Sequence, residues 1–470
     1  MTTTTDKQNP AEEKGFKFPK LTTMQLINFC IGFFGLQFAW QMRILLSGPV
    51  TESLGASPFL FSLIWLAGPF TGLVVQPVIG AISDNISTPF GRRKPFLLGG
   101  AILCSLALWA FPNSGKIADF LGKLVHSDVP IWGGLLIAAL LIWVIDACIN
   151  ASQGPYRALV PDTMPQEQHA LANSYLSLSI GLGSVVASGA AWFMKTVFNY
   201  QLSVETQFVM AALAFSLAVI WTCITTKEYM TKVKTAEEET PAQEKQTFLQ
   251  SLKAFFSDIE VYKVCAIQFF TWMGVISMLI YFTNFSVHNV FGVPDLTSVS
   301  ESVKQSYEAK LLEGTNFSSF CFAIFNLVCF LCSIPIGILA SKFGNKKVHT
   351  VALLLMAAAF TGLAFTVNQT YVAILMGLAG VGWASLLALP FAMLSEYIQK
   401  GTEGSAMGIF NLFIAGPQVI SSIVLGAVIA RSPMTTDGLL NYHWEYAFLA
   451  AGICILIAAI MTPFINEKKA

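Results

Sequence analysis

The chain has 470 residues, of which 54% are hydrophobic and only 11% are charged, whereas a typical soluble domain has about 25% charged residues. Its 27 basic and 27 acidic residues cancel, which excludes the basic surface that nucleic-acid binding requires. A mean hydropathy of +0.63 indicates instead that lipid is the main solvent of the chain.

The chain begins with a polar, basic stretch, residues 1–25, that lacks a short apolar core before a cleavage site. It is therefore not a signal peptide. We expect it to be a cytosolic tail that leads into the first membrane helix.

Apolar stretches long enough to cross about 30 Å of hydrocarbon recur along the rest of the chain. We predict twelve spans, at 26–48, 59–82, 96–112, 132–154, 172–195, 207–225, 262–284, 316–341, 348–367, 371–391, 406–430 and 445–465. The longest polar stretch between spans, 226–260, divides them into six plus six. This pattern predicts an all-α polytopic membrane protein with a six-helix bundle over 26–225, a cytosolic central loop over 226–260, a second six-helix bundle over 261–465 and a cytosolic tail over 466–470.

The basic residues predict the orientation of the spans. Twenty of the 27 fall on the same side as the two termini and six on the other side, and Arg43 lies inside a span. Because basic loops are retained in the cytosol, both termini should be cytosolic. We expect a multi-pass protein of the inner or plasma membrane.

Nine cysteines all lie in apolar stretches, and a secreted disulfide framework would place them in polar loops instead. Cys329 and Cys332 form a CxxC motif, but it lies in an apolar run without a βαβ context. We expect both to be small residues packed in a helix.

The first span carries polar side chains that are suited to a sugar. Gln37 and Gln41 lie one helical turn apart, and Trp40 lies between them. Amides donate and accept hydrogen bonds with hydroxyls, and an indole face stacks on a sugar ring. Packing in the core or at the membrane interface is an equally open explanation for Trp40.

Arg43 is a cation inside the same span. With the span ending at residue 48, Arg43 lies about 8 Å from its outer end, whereas Asp146 of the fourth span lies some 20 Å below the outer surface. This difference in depth argues against direct contact with Asp146. Pairing through water or with Glu52 is at least as plausible, and Arg43 remains a candidate for substrate binding.

The loop after the second span contains Gly80, Asp84, Arg92 and Arg93. Gly80 would allow close helix approach, and Asp84 lies near guanidinium groups that can pair with it in forked geometry. Such a cluster can hold two bundles together in one state and release them in another. A basic loop that only sets topology is the alternative.

The fourth span places Asp146, Asn150, Gln153 and Arg157 on one helix face, because their offsets of 4, 7 and 11 residues stack within about 60°. An ionisable residue in a span usually faces the bundle interior or a water-filled cavity. Asp146 is therefore the leading candidate for a protonation site. A structural acid that caps or pairs helices is the alternative.

The second half has fewer charges in its spans. Neutral candidates for a cavity wall there are Gln268, Trp272, Asn284, Asn326, Trp383, Asn411 and Gln418. His288 falls at the outer end of the seventh span, where we expect a surface histidine.

The two halves repeat one feature. Pro77–Gly80, at the end of the second span, and Ile334–Gly337, at the end of the eighth, are both followed by a short basic loop. Sequence features that repeat at equivalent positions of the two halves indicate two bundles around a site at the membrane midplane.

Several motifs identify a family. The loop spacing of Gly80, Asp84 and the GRRK run at 91–94 matches the loop between spans 2 and 3 of the major facilitator superfamily. Within that superfamily, the fourth-span stretch DACINASQGPYRALVPD at 146–162 resembles the signature of the plant sucrose/proton symporters and of their bacterial relatives, which carry sucrose or maltose. Supporting matches are GLQFAW at 35–40, WLAGP at 65–69, VQP at 75–77 and FGRRKPF at 90–96. The likeness is specific over about 26–190 and weaker beyond.

The resemblance implies a major facilitator fold and a proton-coupled disaccharide symporter. It makes Asp146 the protonated group, places Asn150 and Gln153 in the same cavity, and places Arg157 and Asp162 at the cytosolic gate. Relatives tend to have Gln or an acid where this chain has Arg43, so the substrate preference could differ. The basic loop after the eighth span has Ser341 where the first half has Asp84, so a charge cluster in the second half should be weaker.

We therefore expect a transporter that imports an α-glucoside disaccharide, such as maltose or sucrose, with a proton by alternating access. It should need no cofactor beyond the coupling proton and should work as a monomer in the bilayer. The alternatives are a facilitator, a sodium-coupled carrier of another small solute, and a non-transporting membrane sugar sensor. An enzyme is least expected, because the sequence has no metal-cluster, nucleophile–base or phosphate-loop motif.

Overall fold

A computed structural model describes residues 18–86, 88–126, 130, 132–229, 255–297, 299–398 and 403–466, without the side chains of residues 84, 85, 166, 170 and 403–408. The predicted terminal tails and central loop therefore lie largely outside the described residues.

The described residues form fifteen α-helices. In chain order they are α1 (Thr23–Ser53), α2 (Pro58–Ile64), α3 (Ala67–Asn85), α4 (Lys94–Ala110), α5 (Ser114–Leu124), α6 (Gly133–Thr163), α7 (His169–Phe198), α8 (Val204–Thr225), α9 (Ile259–Phe285), α10 (Glu301–Phe343), α11 (Asn345–Leu363), α12 (Gln369–Leu386), α13 (Leu389–Ser395), α14 (Glu403–Ala430) and α15 (Tyr446–Met461). A π-helical turn, Ser286–Val290, extends α9.

Twelve helical segments of the described residues are long and apolar enough to cross a membrane, which confirms the number of predicted spans. Three of the spans combine two helices each, namely α2 with α3, α4 with α5 and α12 with α13. Most spans are longer than predicted, and α10 has 43 residues. The apolar criterion finds only the part of a helix that lies in hydrocarbon, whereas the helix continues into polar surroundings.

Local signals set several of the helix starts. Thr22 and Gln25 form a capping box at the start of α1, and Asp258 accepts a hydrogen bond from a backbone N–H at the start of α9. Gly344 separates α10 from α11 with a φ of 92°, a conformation that only glycine adopts readily.

The helices form two six-span bundles. Within the first bundle α1 packs on α7 and α8, and α6 packs on α3 and α4. Within the second bundle the packing is of the same kind, with α9 on α14 and α15 and α12 on α10 and α11. The side where α1 begins and α15 ends is called the terminal side below, and the opposite side is called the far side.

Contacts between the two bundles cluster towards the far side. The side chains of Trp192 in α7 and Phe320 in α10 stack with ring centroids 5.1 Å apart, and Lys195 forms an ion pair with Glu313 at 3.6 Å. On the other flank, Gly426 of α14 packs so closely on Ser62 of α2 that a Cβ atom would not fit. The far-side ends of the bundles are therefore held together.

A hairpin follows α14 on the far side, with strand β1 (Pro433–Thr436) antiparallel to strand β2 (Leu439–Tyr442). Asp437 and Gly438 both have positive φ, which is the requirement of a tight type I′ turn. The hairpin was not predicted, although Asp-Gly between two apolar runs is a recognised signal for it.

All nine cysteines lie within the described residues as free thiols, and all are buried except Cys223, Cys332 and Cys454, which are half-buried. Cys329 is buried and Cys332 is half-buried in α10.

Candidate functional site

A buried ion pair lies in the first bundle between α1 and α6. Nη2 of Arg43 lies 2.5 Å from Oδ2 of Asp146, and both side chains are at most 3% exposed. The guanidinium also lies over the ring of Trp65, with Cζ 4.1 Å from the ring centroid. Because both side chains are almost inaccessible to solvent, each charge is stabilised by the other, and removing either one would leave an uncompensated buried charge.

This contact shows that the predicted separation of Arg43 and Asp146 is wrong. The error came from the end of the first span, which was set at residue 48, whereas α1 continues to Ser53. Arg43 is then ten residues, or about 15 Å, below the far-side end of its helix, and Asp146 is about 20 Å below the start of α6. An arginine side chain is long enough to span the remaining difference in depth between the two residues.

Helix α3 supplies small and polar groups to the same face of α6. A Cβ atom on Gly68 would lie 3.5 Å from Oδ2 of Asp146, and one on Gly72 would lie 3.6 Å from Oδ1 of Asn150. Nδ2 of Asn150 donates to Oγ1 of Thr71 at 3.1 Å. Asp146 and Asn150 therefore project from α6 towards the same helix, as their spacing predicted.

The next two residues of that face are less enclosed. Gln153 is half-buried, and Arg157 is exposed, with its guanidinium 5.5 Å from the ring centroid of Phe33 in α1. The face thus leads from a buried ion pair to an exposed cation on the way to the terminal side.

The other first-span candidates, Gln37, Gln41 and Trp40, differ in the contacts that their side chains make. Nε2 of Gln37 donates to Oγ of Ser184 in α7 at 3.0 Å, so this amide joins two helices. Gln41 is 3% exposed, and its buried Nε2 finds no hydrogen-bond acceptor in the residues that the structure describes. Trp40 is half-buried and packs against the hydrophobic core.

In the second bundle, three candidates lie in α9 and α12. The rings of Trp272 and Trp383 meet edge to face with centroids 5.6 Å apart. Gln268, one turn before Trp272, is fully buried, and within the described part of the chain neither polar atom of its amide has a hydrogen-bond partner. Such unpaired amides are costly in a closed interior and are candidates for ligand contacts.

The remaining second-half candidates are not gathered at one place. Asn284 donates to Glu52 at 3.4 Å and Asn326 donates to Ser188 at 3.4 Å, and both of these bonds cross between the bundles. Gln418 donates to the backbone of its own helix, and Asn411 is exposed.

Of the predicted gate residues, Arg92, Arg93 and Asp162 form a charge cluster on the terminal side of the first bundle, and Arg157 is the exposed cation described above. Arg92 makes two hydrogen bonds to Asp162, at 2.8 Å from Nε and 2.5 Å from Nη2. Nε of Arg93 donates to the same carboxylate at 3.1 Å, and its Nη1 donates to Ser83. These contacts join the loop before α4 to the end of α6.

Glu228, just after α8, belongs to this cluster and was missed in the sequence. Its carboxylate accepts the backbone N–H groups of Arg92, at 2.8 Å, and Arg93, at 3.1 Å. Burial raises the pKa of Glu228, and the two N–H donors oppose that rise. Gly91, with a φ of 106°, gives the carboxylate room that a Cβ atom would fill. An acid directly after a span and opposite a basic loop was the available signal.

Two gate predictions have other outcomes. Among the described atoms, nothing lies within 4 Å of the place of a Cβ atom on Gly80, so the predicted close helix approach is wrong for this conformation. Asp84 lies in the last turn of α3, and its side chain is outside the description.

His288 is not at the surface, which corrects that expectation. It is 2% exposed, lies in the π-helical turn and has its Nε2 2.9 Å from Oε2 of Glu52. The far side is more enclosed than a span end in isolation suggests, because α1 of the other bundle and the segment around Trp444 cover it. Glu52 thus pairs with His288 and not with Arg43.

Comparison with known proteins supplies the family. Residues 31–300 match the model described as MFS/sugar transport protein, and residues 307–469 match that of the Major Facilitator Superfamily. Among curated proteins, the chain is 29% identical over 432 residues to "Sucrose transport protein SUT2" of Oryza sativa subsp. indica, which covers 83% of this chain and 84% of the relative. It is 22% identical to the "General alpha-glucoside permease" of Schizosaccharomyces pombe, with 94% and 93% covered.

Solved structures support the fold. The nucleoside transporter NupG superposes with a TM-score of 0.64 at 12% identity, covering 95% of this chain and 100% of the other. The D-xylose-proton symporter superposes with a TM-score of 0.61 at 14% identity, covering 95% and 99%. At these identities the likeness concerns the fold alone.

Proposed function

Because this chain belongs to the MFS/sugar transport protein family of the major facilitator superfamily, we propose that it imports a disaccharide, an α-glucoside such as maltose or sucrose, together with a proton. As a family member it is a membrane transporter and not an enzyme. The names of its curated relatives support a sugar as the substrate. The buried pair of Arg43 and Asp146 is the observation that carries proton coupling.

In this proposal a proton and Arg43 compete for Asp146. Protonation removes the negative charge that holds the guanidinium, and an unpaired buried cation is costly. The protonated protein therefore favours a rearrangement in which Arg43 finds other acceptors. Sugar hydroxyl groups are such acceptors, so proton binding and sugar binding stabilise the same state.

Neutral groups of both bundles would bind the sugar. Gln41 and Gln268 carry buried amide atoms without hydrogen-bond partners among the described residues, and Trp272 and Trp383 supply aromatic surface in the second bundle. Aromatic rings and amides together suit a ligand with C–H faces and many hydroxyls. The substrate roles of the other candidates, Gln37, Trp40, Asn150, Gln153, Asn284, Asn326 and Gln418, stay predictions.

We infer that the terminal side is cytosolic, in the cell membrane, from the excess of basic residues there. The far side is held closed by contacts such as those of Trp192 with Phe320 and of Lys195 with Glu313. This conformation would then be the one that releases substrate inward. Transport requires the two bundles to rock, so that the far side opens in turn. One chain contains both bundles, which supports a functional monomer.

The cluster around Asp162 would act as the cytosolic gate. In this conformation Arg92 and Arg93 bond the end of α6 within the first bundle. When the terminal side closes, the open surface beside Gly80 would receive the second bundle.

The test is uptake by the purified chain in liposomes, with radiolabelled maltose, sucrose and trehalose. We expect at least one disaccharide to accumulate above its equilibrium level when the lumen is alkaline relative to the medium. The medium should become more alkaline when that sugar is added. Accumulation driven only by a sodium gradient, or equilibration without accumulation under any gradient, would contradict proton coupling. Binding without any flux would indicate a sensor.

A further inference from the structure

We propose that Glu52 and His288 form a second proton-binding site, which keeps the far side closed only while its proton is bound. This inference rests on the proposed function in one respect, namely that opening of the far side is a step of transport. Asp146 lies within the first bundle, whereas this second site lies between the two bundles.

The hydrogen-bond directions fix the number of protons. Nδ1 of His288 lies 2.8 Å from the carbonyl oxygen of Val293, and a carbonyl only accepts, so Nδ1 carries a hydrogen. Nε2 lies 2.9 Å from Oε2 of Glu52. One proton must lie between these two atoms, either as an imidazolium facing a carboxylate or as a neutral imidazole facing a carboxylic acid. Without it, two lone pairs face each other.

The surroundings make loss of that proton unfavourable for the closed state. His288 is buried and stacks on Trp444 with centroids 5.3 Å apart, and Oε1 of Glu52 is buried with no hydrogen-bond donor among the described residues. The other ionisable groups nearby are Asp295, 7% exposed, and Tyr442 of β2, which contacts Asp295. None of these supplies a positive charge. A deprotonated pair would therefore leave a buried carboxylate uncompensated.

The pair lies where the bundles meet. Glu52 is in the last turn of α1, and the π-helical turn after α9 places His288 opposite it. Two further contacts continue the same seam, because Thr283 donates to the carbonyl of Leu45 at 3.1 Å and Asn284 packs against Gly48. Separation of Glu52 from His288 would therefore open the far side along α1 and α9.

The experiment measures the far-side distance as a function of pH. Spin labels at Lys123→Cys in α5 and Glu308→Cys in α10, both exposed far-side positions, report the separation of the bundles in liposomes. The native cysteines can also take up the label, and their contribution to the signal is measured on the labelled chain without the two substitutions. Between about pH 5.5 and about pH 8.5, a range that covers histidine titration, we expect a longer distance to gain population as the pH rises. Above the pH at which the separated pair loses its proton in the open state, the ratio of open to closed molecules should grow about tenfold per pH unit, as for release of one proton.

One variant removes the shared proton but keeps a hydrogen bond. In Glu52→Gln the amide donates to Nε2 of His288, so this variant should stay closed over the whole pH range. In His288→Gln the carboxyl group of Glu52 still titrates but has lost the imidazole, so this variant should populate the longer distance at a lower pH than the parent does. Glu313→Gln is the control, since it changes another far-side ion pair between the bundles and should keep the pH dependence of the parent.

A distance that does not respond to pH in the parent would overturn the proposal, as would the same pH response in Glu52→Gln and the parent. The distances are measured without sugar or an ion gradient. Failure of proton-coupled uptake would therefore not change this result, and the two proposals fail separately.

Discussion

The two bundles share one helical arrangement but differ in the charge that they bury. In the first bundle, α1 and α6 bury an arginine and an aspartate against each other. In the second bundle, the helices in the corresponding places, α9 and α12, bring together Trp272 and Trp383 and bury the neutral Gln268. In the terminal-side loops, the guanidinium group of Arg92 makes two hydrogen bonds to Asp162, and the amide of Asn345 donates to Glu396 at 3.4 Å.

In the proposed mechanism, this difference gives the two bundles different roles within a repeated scaffold. Asp146 of the first bundle would change its charge state, whereas Gln268, Trp272 and Trp383 of the second bundle stay neutral. We therefore expect substitutions of charged residues in the first bundle to change coupling, and the matched substitutions in the second to have smaller effects.

The largest effect is expected from breaking the buried pair on one side only. Arg43→Gln leaves Asp146 without its cation, so the free energy of unfolding should fall by about 3–5 kcal/mol at neutral pH. Thermal unfolding in detergent measures this change. The double variant Arg43→Gln with Asp146→Asn restores neutrality and should recover most of the lost stability. A double variant no more stable than the single one would contradict the pairing.

A smaller effect is expected at the terminal-side loops, where the bundles offer matched variants. Asp162→Asn removes the carboxylate that two guanidinium groups share, and sugar exchange should slow by about tenfold or more, the equivalent of 1.4 kcal/mol. Glu396→Gln keeps an acceptor for Asn345, and its exchange rate should stay within about twofold of the parent. Equal losses in the two variants would show that the loops do not differ in function.

Glu228 gives a prediction with a pH dependence. Because burial raises its pKa, the carboxyl favours the folded state most at pH below its ordinary pKa of about 4.3, and this contribution is lost as the pH rises through the folded value. Relative to the parent, Glu228→Gln should therefore gain stability as the pH rises. Glu228→Ala removes the acceptor for two N–H groups and should cost about 1–3 kcal/mol at every pH. Thermal unfolding from acid to neutral pH measures both.

The last matched pair of variants concerns one glycine in each bundle. Gly426→Ala forces a Cβ atom against Ser62 across the far-side interface and should cost about 1–3 kcal/mol. Gly80→Ala meets open space in this conformation, so its stability should be unchanged or up to about 1 kcal/mol higher. A strong loss of stability in Gly80→Ala would show that this surface is already covered.

The membrane fold was predictable because it depends on composition over about twenty residues at a time. Twelve apolar runs and their pairing into two halves follow from the cost of leaving backbone or charge in lipid. The face of α6 was also predictable, since offsets of 4 and 7 residues fix direction on any helix. Asp146 and Asn150 do contact the same neighbouring helix.

Contacts between helices were less predictable, because they depend on exact helix ends and on which bundle covers a residue. Five residues at the end of α1 decided whether Arg43 reached Asp146. His288 looked like a surface residue until Glu52 and Trp444 from elsewhere in the chain covered it. Glu228 lies 136 residues from the backbone group that it binds, so no local pattern connects them.

Asp146→Asn tests the central claim most directly, with uptake under a pH gradient and sugar exchange at equal pH measured on the same liposomes. The amide keeps the size of the side chain but cannot bind and release a proton as the carboxyl group does. We expect accumulation against a concentration gradient to be lost while exchange across the membrane continues, and Asp119→Asn, at an exposed position, to behave as the parent does. Accumulation by Asp146→Asn at the parental level would contradict the account, because the proton would then be carried elsewhere.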